Sequence, residues 1–144
     1  MTERIYIDTD IILDLLLKRE PFYPAARSIF SLLEKGELEG CVSPLIFANL
    51  FYILRKLKSG PEALKVLQKL KVLVTVLPID AKIIEMALAS NFKDFKDAIQ
   101  SYSALENGIQ VLITRNVKDY IPSALTVFTA EEYLKIKQAQ MNAP

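Results

Sequence analysis

The sequence predicts an α/β fold, a three-layer α/β/α sandwich around a central parallel sheet of about five strands, formed as a single domain over residues 1–144. Short β-branched and aromatic runs alternate with segments whose apolar residues recur at helical spacing. No hairpin turn signal separates the strands, so parallel pairing through right-handed helical crossovers is expected. With 144 residues, 51% of them hydrophobic, the chain has material for one sizeable core.

The first half of the chain opens with the strand RIYID, which ends on Asp8. Two helices follow: DIILDLLLKR stops before the next proline, and FYPAARSIFSLLEKG is closed by its final glycine. LEGCVS is the second strand. After it, Ser43 and Pro44 suit the N-cap and first turn of a helix from Leu45 to about Leu57.

The second half begins with the helix EALKVLQKLK, which has one apolar face. VLVTVLP is the third strand, and its nearly continuous apolar run predicts burial on both faces. Two helices, IDAKIIEMALAS and DFKDAIQSYSALENG, lead to the strand IQVLIT. The chain ends with a short strand, ALTVF, and a helix opened by the capping box at 129–132. The strand residues predicted to form the core are Ile5, Ile7, Val42, Val74, Val76, Val111 and Ile113.

Composition excludes several kinds of chemistry. The chain has no histidine, so Ser-His-Asp and Cys-His nucleophiles and His-ligated zinc or iron sites are excluded, and carboxylates must carry any catalysis. Eighteen basic and seventeen acidic residues nearly cancel, so a nucleic-acid site must be a local patch. The single cysteine, Cys41, suits a reducing cytoplasm. No window reaches the roughly 18 apolar residues of a membrane span, so a cytoplasmic protein is expected.

Acidic residues collect where the predicted strands end. Asp8 ends the first strand, Asp97 lies in the first turn of the helix that leads to the fourth, and Thr114, Asn116 and Asp119 follow the fourth. Sites in parallel sheets form outside the carboxyl ends of the strands. If the first and fourth strands are neighbours, these residues converge.

Converging carboxylates favour a divalent cation. Close carboxylates raise one another's pKa, and this destabilises the fold unless a cation is bound. Mg²⁺ or Mn²⁺, held by carboxylates and water, relieves the repulsion. Such an ion lowers the pKa of a bound water and stabilises charge on a phosphodiester, so hydrolysis needs no histidine.

Structural roles are also open to these carboxylates. Asp94 is a candidate N-cap, with Asp97 as the acidic first-turn residue of the same helix. Asp10 and Asp14 are expected to be solvated or capping rather than ligating. Asp8 needs a partner because it ends a buried apolar strand, and we expect it to be functional.

Four segments resemble motifs of the PIN domain family, which includes the toxin nucleases of toxin–antitoxin pairs. They occur in the family's order along almost the whole chain: YIDTDIILDLL, VSPLIFANLFYIL, DFKDAIQSYSALENG and ITRNVKDY. The resemblance implies an Mg²⁺- or Mn²⁺-dependent ribonuclease with an RNA substrate and an antitoxin partner. Related domains commonly pair, so a homodimer is expected, with candidate contacts near Phe22, Phe47, Phe51 and Tyr52.

By position, the resemblance places the family's first ligand aspartate at Asp8 and its helix-borne aspartate at Asp97. The central-helix glutamate falls on Asn49 and the closing acidic position on Asn116, with Asp119 as a substitute. The implied metal ligands are Asp8, Asp97 and Asp119, with Asn116 as a further catalytic residue. The implied substrate-positioning or supporting residues are Asn49, Asp94, Thr114, Arg115 and Lys118.

Alternatives remain open. Because Asn49 and Asn116 carry no charge, a PIN fold with weakened catalysis that binds RNA or a protein partner is the main one. IDTDII also resembles the opening of haloacid-dehalogenase-type phosphatases, but here DFKD precedes VLIT, the reverse of that family's order. There is no G-x-G-x-x-G or P-loop motif. Basic residues near the acidic ones, such as Lys93 and Lys96, permit RNA binding and equally suit a solvated face.

Overall fold

The computed structural model describes residues 2–143 and contains one five-stranded sheet in the order β3-β2-β1-β4-β5. All strand pairs are parallel. The strands are β1 Glu3–Ile7, β2 Leu38–Val42, β3 Val74–Val76, β4 Val111–Ile113 and β5 Thr126–Phe128. The predicted parallel sheet is confirmed, and β1 and β4 are neighbours as the site hypothesis requires.

Helices cover both faces of the sheet. Seven α-helices and one 3-10 helix lie in the described chain: α1 Thr9–Leu16, α2 Tyr23–Glu34, α3 Pro44–Leu57, α4 Gly60–Leu73, α5 Ala81–Leu88, α6 Phe95–Glu106, the 3-10 helix Val117–Tyr120 and α7 Ala130–Met141. Three predicted helix ends have the expected chemistry. Gly36 and Gly108 have φ of +73° and +75° just beyond α2 and α6, and Thr129 forms the capping box of α7.

The central strand β1 is covered on both sides. Ile5 and Ile7 belong to the larger apolar cluster, which contains residues of α1 to α4 and α7. Tyr6 faces the opposite layer, where it is fully buried in a cluster with Cys41 and Leu112. Burying each such side chain stabilises the fold by roughly 1.5–3 kcal/mol relative to exposure. The end of β1, and therefore Asp8, is rigidly placed.

The third strand differs from its prediction. We expected VLVTVLP to be buried on both faces, but β3 has only three residues and lies at the edge of the sheet. Val74 is buried, Thr75 is exposed and Val76 is half-buried, while Val72 and Leu73 belong to α4. The apolar run is therefore shared between a helix end and an edge strand.

The predicted core is otherwise mostly correct. Ile5, Ile7, Val42, Val74 and Ile113 are buried. Val76 and Val111 are only half-buried, contrary to the prediction. Within residues 2–143, no helix combines the length and the apolar character needed to cross a membrane.

Candidate functional site

The site forms where β1 and β4 end side by side. Ile7 is paired with Ile113 in the sheet, and the backbone N–H of Asp8 continues the ladder by donating to the Ile113 carbonyl at 3.0 Å. Asp8 is also the N-cap of α1. The chain segments after the two strands, which begin with Asp8 and Thr114, therefore lie next to each other, as the sequence predicted.

The Asp8 carboxylate is buried and fully engaged. Its Oδ1 accepts from Thr9 N at 2.7 Å and Gln100 Nε2 at 3.2 Å. Its Oδ2 accepts from Thr114 Oγ1 at 2.9 Å and the Tyr120 hydroxyl at 3.1 Å. A carboxylate has about four lone-pair positions, and these four groups approach all of them, although the Tyr120 hydroxyl is shared with Asp97. Asp8 is the centre of the hydrogen-bond network, and the expectation that it needs a partner is confirmed.

The Tyr120 hydroxyl lies within hydrogen-bond distance of both Asp97 and Asp8. Asp97 lies in the first turn of α6, is 6% exposed, and its Oδ1 is 3.1 Å from the Tyr120 hydroxyl. That hydroxyl also accepts from Gln100 Nε2 at 2.8 Å. Burial raises the pKa of Asp97 to about 6, with further contributions from the charges of Asp8 and Asp94. Because Tyr120 has one proton to donate, it cannot serve both carboxylates at once.

Asp10 joins the same group, although the sequence suggested a solvated or capping residue. Its Oδ2 accepts from Asn116 Nδ2 at 3.0 Å and Arg115 N at 3.2 Å, and it lies 3.4 Å from Thr114 Oγ1, whose one proton is closer to Asp8. Its Oδ1 is buried without a hydrogen-bond partner. Burial raises the pKa of Asp10 to about 6, and the charge of Asp8 adds to the shift. Asp10 is thus half-buried and hydrogen-bonded to the loop after β4, which contradicts the expectation of a solvated residue.

Asp14 is fully buried, which contradicts the expectation of a solvated or capping residue. It is 0% exposed, and its Oδ2 is 3.0 Å from Arg115 Nε. Arg19 Nε lies 4.0 Å from Oδ1, and the Arg115 guanidinium lies over the Phe22 ring at 4.2 Å. The side chain of Arg115 is therefore engaged with Asp14 and Phe22, while its backbone N–H reaches Asp10.

Asp8, Asp10 and Asp97 line a small cavity, which we call the acidic pocket. Its volume is about 210 Å³, and it is lined by Asp8, Asp10, Asp94, Asp97, Asn116 and Asp119 with Lys96. The predicted site residues Asp8, Asp97, Asn116 and Asp119 are thus together. Five carboxylates and a single lysine give the pocket a negative charge, which favours a cation.

The remaining predicted residues lie around this pocket. Asp94 accepts from Asp97 N at 3.1 Å, so its N-cap role is confirmed. Thr114 is buried against Asp8. Lys118 is exposed on the 3-10 helix, next to Asp119. Asn49 is not a lining residue of the acidic pocket but of a neighbouring groove that includes Asp10.

Two residues of the network were not identified from the sequence. Gln100 is 0% exposed and lies one helical turn after Asp97, a spacing that places both on the same side of α6. Tyr120 ends the ITRNVKDY segment and is 2% exposed. Burial, and then the charges of Asp8 and Asp97, raise the pKa of Tyr120, so its hydroxyl keeps its proton.

The donor set fits a hard divalent cation. Among residues 2–143, no three carboxylate or thiol groups are placed to hold one ion together. Several carboxylate oxygens of the acidic pocket accept no hydrogen bond from the described residues, among them Asp10 Oδ1, which is buried, and Asp97 Oδ2. Mg²⁺ commonly binds through one or two carboxylates and completes its shell with water. The available oxygens match that requirement, and Asp8 would join by releasing one donor.

Comparisons with known proteins agree on one family. The PIN domain model matches residues 4–118. Ribonuclease VapC1 of Aquifex aeolicus (strain VF5) is 21% identical over 137 residues, covering 92% of this chain and 94% of the relative. VapBC-1 of nontypeable Haemophilus influenzae has a TM-score of 0.69 at 23% identity, over 89% of this chain and 98% of the other. A toxin-antitoxin complex of Klebsiella pneumoniae has a TM-score of 0.65 at 24% identity, over 88% and 97%.

Proposed function

This chain belongs to the PIN domain family, and from that premise we propose that it is a ribonuclease that hydrolyses RNA phosphodiester bonds with Mg²⁺ or Mn²⁺. The observation that carries the proposal is the convergence of Asp8, Asp10 and Asp97 beyond the carboxyl ends of β1 and β4. The similar Aquifex protein is a ribonuclease, which supports RNA as the substrate.

Each residue has a distinct part in this proposal. Asp10 and Asp97 offer free carboxylate oxygens to the ion, and Asp8 fixes their surroundings through Thr114 and Tyr120. When bound, the ion lowers the pKa of a bound water and stabilises charge on the phosphodiester. Lys96, in the same pocket, offsets charge on the substrate's phosphate.

The closing acidic position is divided between two residues. The side-chain amide of Asn116 donates a hydrogen bond to Asp10. It therefore orients that carboxylate and adds no negative charge to the site. Asp119 is exposed at the rim of the acidic pocket. We assign Asp119 the role of a ligand or proton acceptor there, because its exposed carboxylate lines the acidic pocket and accepts no hydrogen bond from the described residues.

We also propose two protein partners, an antitoxin and a second copy of the chain. The similar Klebsiella structure is a toxin-antitoxin complex. An apolar groove of about 520 Å³ is available for a protein surface, with Phe47, Leu64 and Val76 among its lining residues. Phe22 is less suited to a subunit contact because the Arg115 guanidinium covers it. We place the protein in the cytoplasm, in keeping with its free thiol at Cys41.

The second candidate function is a PIN module that binds RNA or a protein without efficient cleavage. The observation that favours it is the uncharged Asn116 side chain. Its amide donates to Asp10 at the position where the resemblance implies an acidic group. Metal binding without RNA cleavage would support this candidate over the ribonuclease.

The test is cleavage of an end-labelled single-stranded RNA with Mn²⁺, with Mg²⁺ and with chelator. The wild type should cleave only with metal, and Asp97→Asn should abolish cleavage. Asp80→Asn is the matched control, because Asp80 caps α5 by accepting from Ile83 N at 3.0 Å and an asparagine keeps that cap. A wild-type protein that cleaves no RNA with either metal contradicts the proposal.

A further inference from the structure

Two of the cavities that adjoin the acidic pocket are lined by lysines and, in one case, by an exposed aromatic ring. One is a cavity of about 690 Å³, here called the lysine cavity, lined by Lys93, Asp94, Lys118, Asp119, Ile121 and Pro122. The other is a cavity of about 420 Å³, here called the tyrosine groove, lined by Asp10, Leu13, Asn49, Tyr52, Ile53 and Lys96. Asp94 and Asp119 border both the lysine cavity and the acidic pocket, and Asp10 and Lys96 connect the pocket to the tyrosine groove.

Tyr52 is an exposed aromatic ring in a fixed position. It is 57% exposed on α3. Its ring packs edge-on against Phe51, with 6.0 Å between centroids, and the Arg55 guanidinium lies 5.5 Å from its centroid. Asn49 precedes it by one helical turn, so both side chains lie on the same side of α3. The groove thus combines a ring suited to stacking with an amide suited to hydrogen bonding.

The lysines lie where a polyanion would need them. Lys93, Lys96 and Lys118 form no ion pair with any described residue 2–143. Lys93 and Lys118 border the lysine cavity, and Lys96 lies where the acidic pocket meets the tyrosine groove. The carboxylates of the acidic pocket repel phosphate. An RNA backbone must therefore be attracted by the lysines of the neighbouring cavities and by a bound cation.

We propose that the three cavities form one groove for single-stranded RNA, in which Tyr52 stacks on a base on one side of the scissile phosphate. On the other side, Lys93 and Lys118 hold the backbone. This inference rests on the ribonuclease function proposed above. A base that stacks on a protein aromatic must be unpaired, so the groove selects single strands, loops or ends over duplex RNA. Stacking is tolerant of sequence because every base presents a π-face.

The test measures RNA binding rather than cleavage. A fluorescent eight-nucleotide RNA is titrated into Asp97→Asn protein, and the dissociation constant is followed by anisotropy over a range of salt concentrations. In that background, Tyr52→Ala should weaken binding about tenfold without changing the salt dependence, because stacking is not ionic. Tyr52→Phe should bind as the parent does. Leu88→Ala, the control, removes an apolar side chain that is 70% exposed on α5 and should have no effect.

The lysines give a different signature. Lys93→Ala and Lys118→Ala should each reduce the slope of log affinity against log salt by about 0.7, the value for one phosphate contact on a single strand. Lys69→Ala, which removes an exposed lysine of α4, should leave the slope unchanged. Duplex RNA of the same length should bind more weakly, and Tyr52→Ala should not weaken it further.

Three results would overturn this inference. The first is unchanged RNA affinity in Tyr52→Ala. The second is an affinity loss in Tyr52→Ala that accompanies a change of oligomeric state by light scattering, which assigns the ring to a subunit contact. The third is a salt slope that falls no more in Lys93→Ala and Lys118→Ala than in Lys69→Ala. A wild-type protein that binds RNA in this pattern but cuts none contradicts the ribonuclease proposal alone.

Discussion

The hydroxyl oxygen of Tyr120 lies 3.1 Å from Oδ1 of Asp97. The same oxygen is 3.1 Å from Oδ2 of Asp8, so one side chain of the 3-10 helix connects the carboxylate that follows β1 to a carboxylate in the first turn of α6. The distance between the Asp8 and Asp97 carboxylates depends on this contact. A change at Tyr120 should therefore reduce metal affinity more than it reduces the stability of the fold.

Tyr120→Phe should weaken Mn²⁺ binding. The hydroxyl lowers the pKa of Asp97, so its removal should raise that pKa further above about 6 and make protons compete better with the ion. Isothermal titration calorimetry should show a larger loss of affinity at pH 6 than at pH 8. Tyr102→Phe is the matched control, because both tyrosine rings pack against Phe92, at 6.2 and 6.4 Å between centroids. Equal Mn²⁺ affinities in the two variants would contradict the role of Tyr120.

Asp14→Asn should destabilise the protein. Asp14 is 0% exposed and its Oδ2 is 3.0 Å from Arg115 Nε, so the substitution leaves the half-buried Arg115 guanidinium without its charged partner. Loss of that partner costs about 1 to 2 kcal/mol of unfolding free energy, measured by urea denaturation, because removal of a carboxylate whose pKa burial has raised offsets part of the loss. Glu106→Gln breaks the exposed pair with Lys82 at 3.2 Å and should cost less than about 1 kcal/mol. Similar losses of unfolding free energy in both variants would contradict a larger contribution of the Asp14–Arg115 pair to stability.

The stability of the metal-free protein should fall as pH rises from about 4 to 6. The folded-state pKa of Asp10 and of Asp97 is about 6, against 3.8 for an ordinary aspartate. Between these values the folded state binds more protons than the unfolded state, so the free energy of unfolding decreases with pH and levels off above about 7. Urea denaturation in chelator should show this trend, with a smaller slope in Asp97→Asn. A rising stability over the same range would contradict the raised pKa values.

Light scattering at high micromolar concentration should show a homodimer. Leu64 is 53% exposed and lines the apolar groove with Phe47, so Leu64→Glu should shift the protein towards monomers. Ile136→Glu places the same charge on α7, where the parent residue is 39% exposed, and should leave the dimer intact. A monomeric wild type would contradict the dimer proposal.

The sequence predicted the parallel sheet from local strand and helix patterns, whereas the meeting of Asp8 with Asp97 was predicted only on the condition that β1 and β4 are neighbours, which the sheet order fulfils. It did not predict that Asp10 would be half-buried in the site or that Asp14 would be fully buried, since both depend on how the loop after β4 folds against α1. Nor did it identify Gln100, since a polar residue on a helix is ordinarily solvent-exposed. The edge position of β3 was missed because apolar content alone does not report how many neighbours a strand has.

The most direct test of the metal site is the Mn²⁺-dependent rise in melting temperature of the wild type and of Asp97→Asn. Without metal, Asp97→Asn should melt a few degrees higher than the wild type, because it removes a buried charge next to Asp8 and Asp94. With millimolar Mn²⁺, the wild type should gain stability through binding, and the gain should shrink in the variant. If Asp97→Asn lowers the metal-free melting temperature and leaves the Mn²⁺ response unchanged, Asp97 serves only to stabilise the start of α6 and the metal site is contradicted.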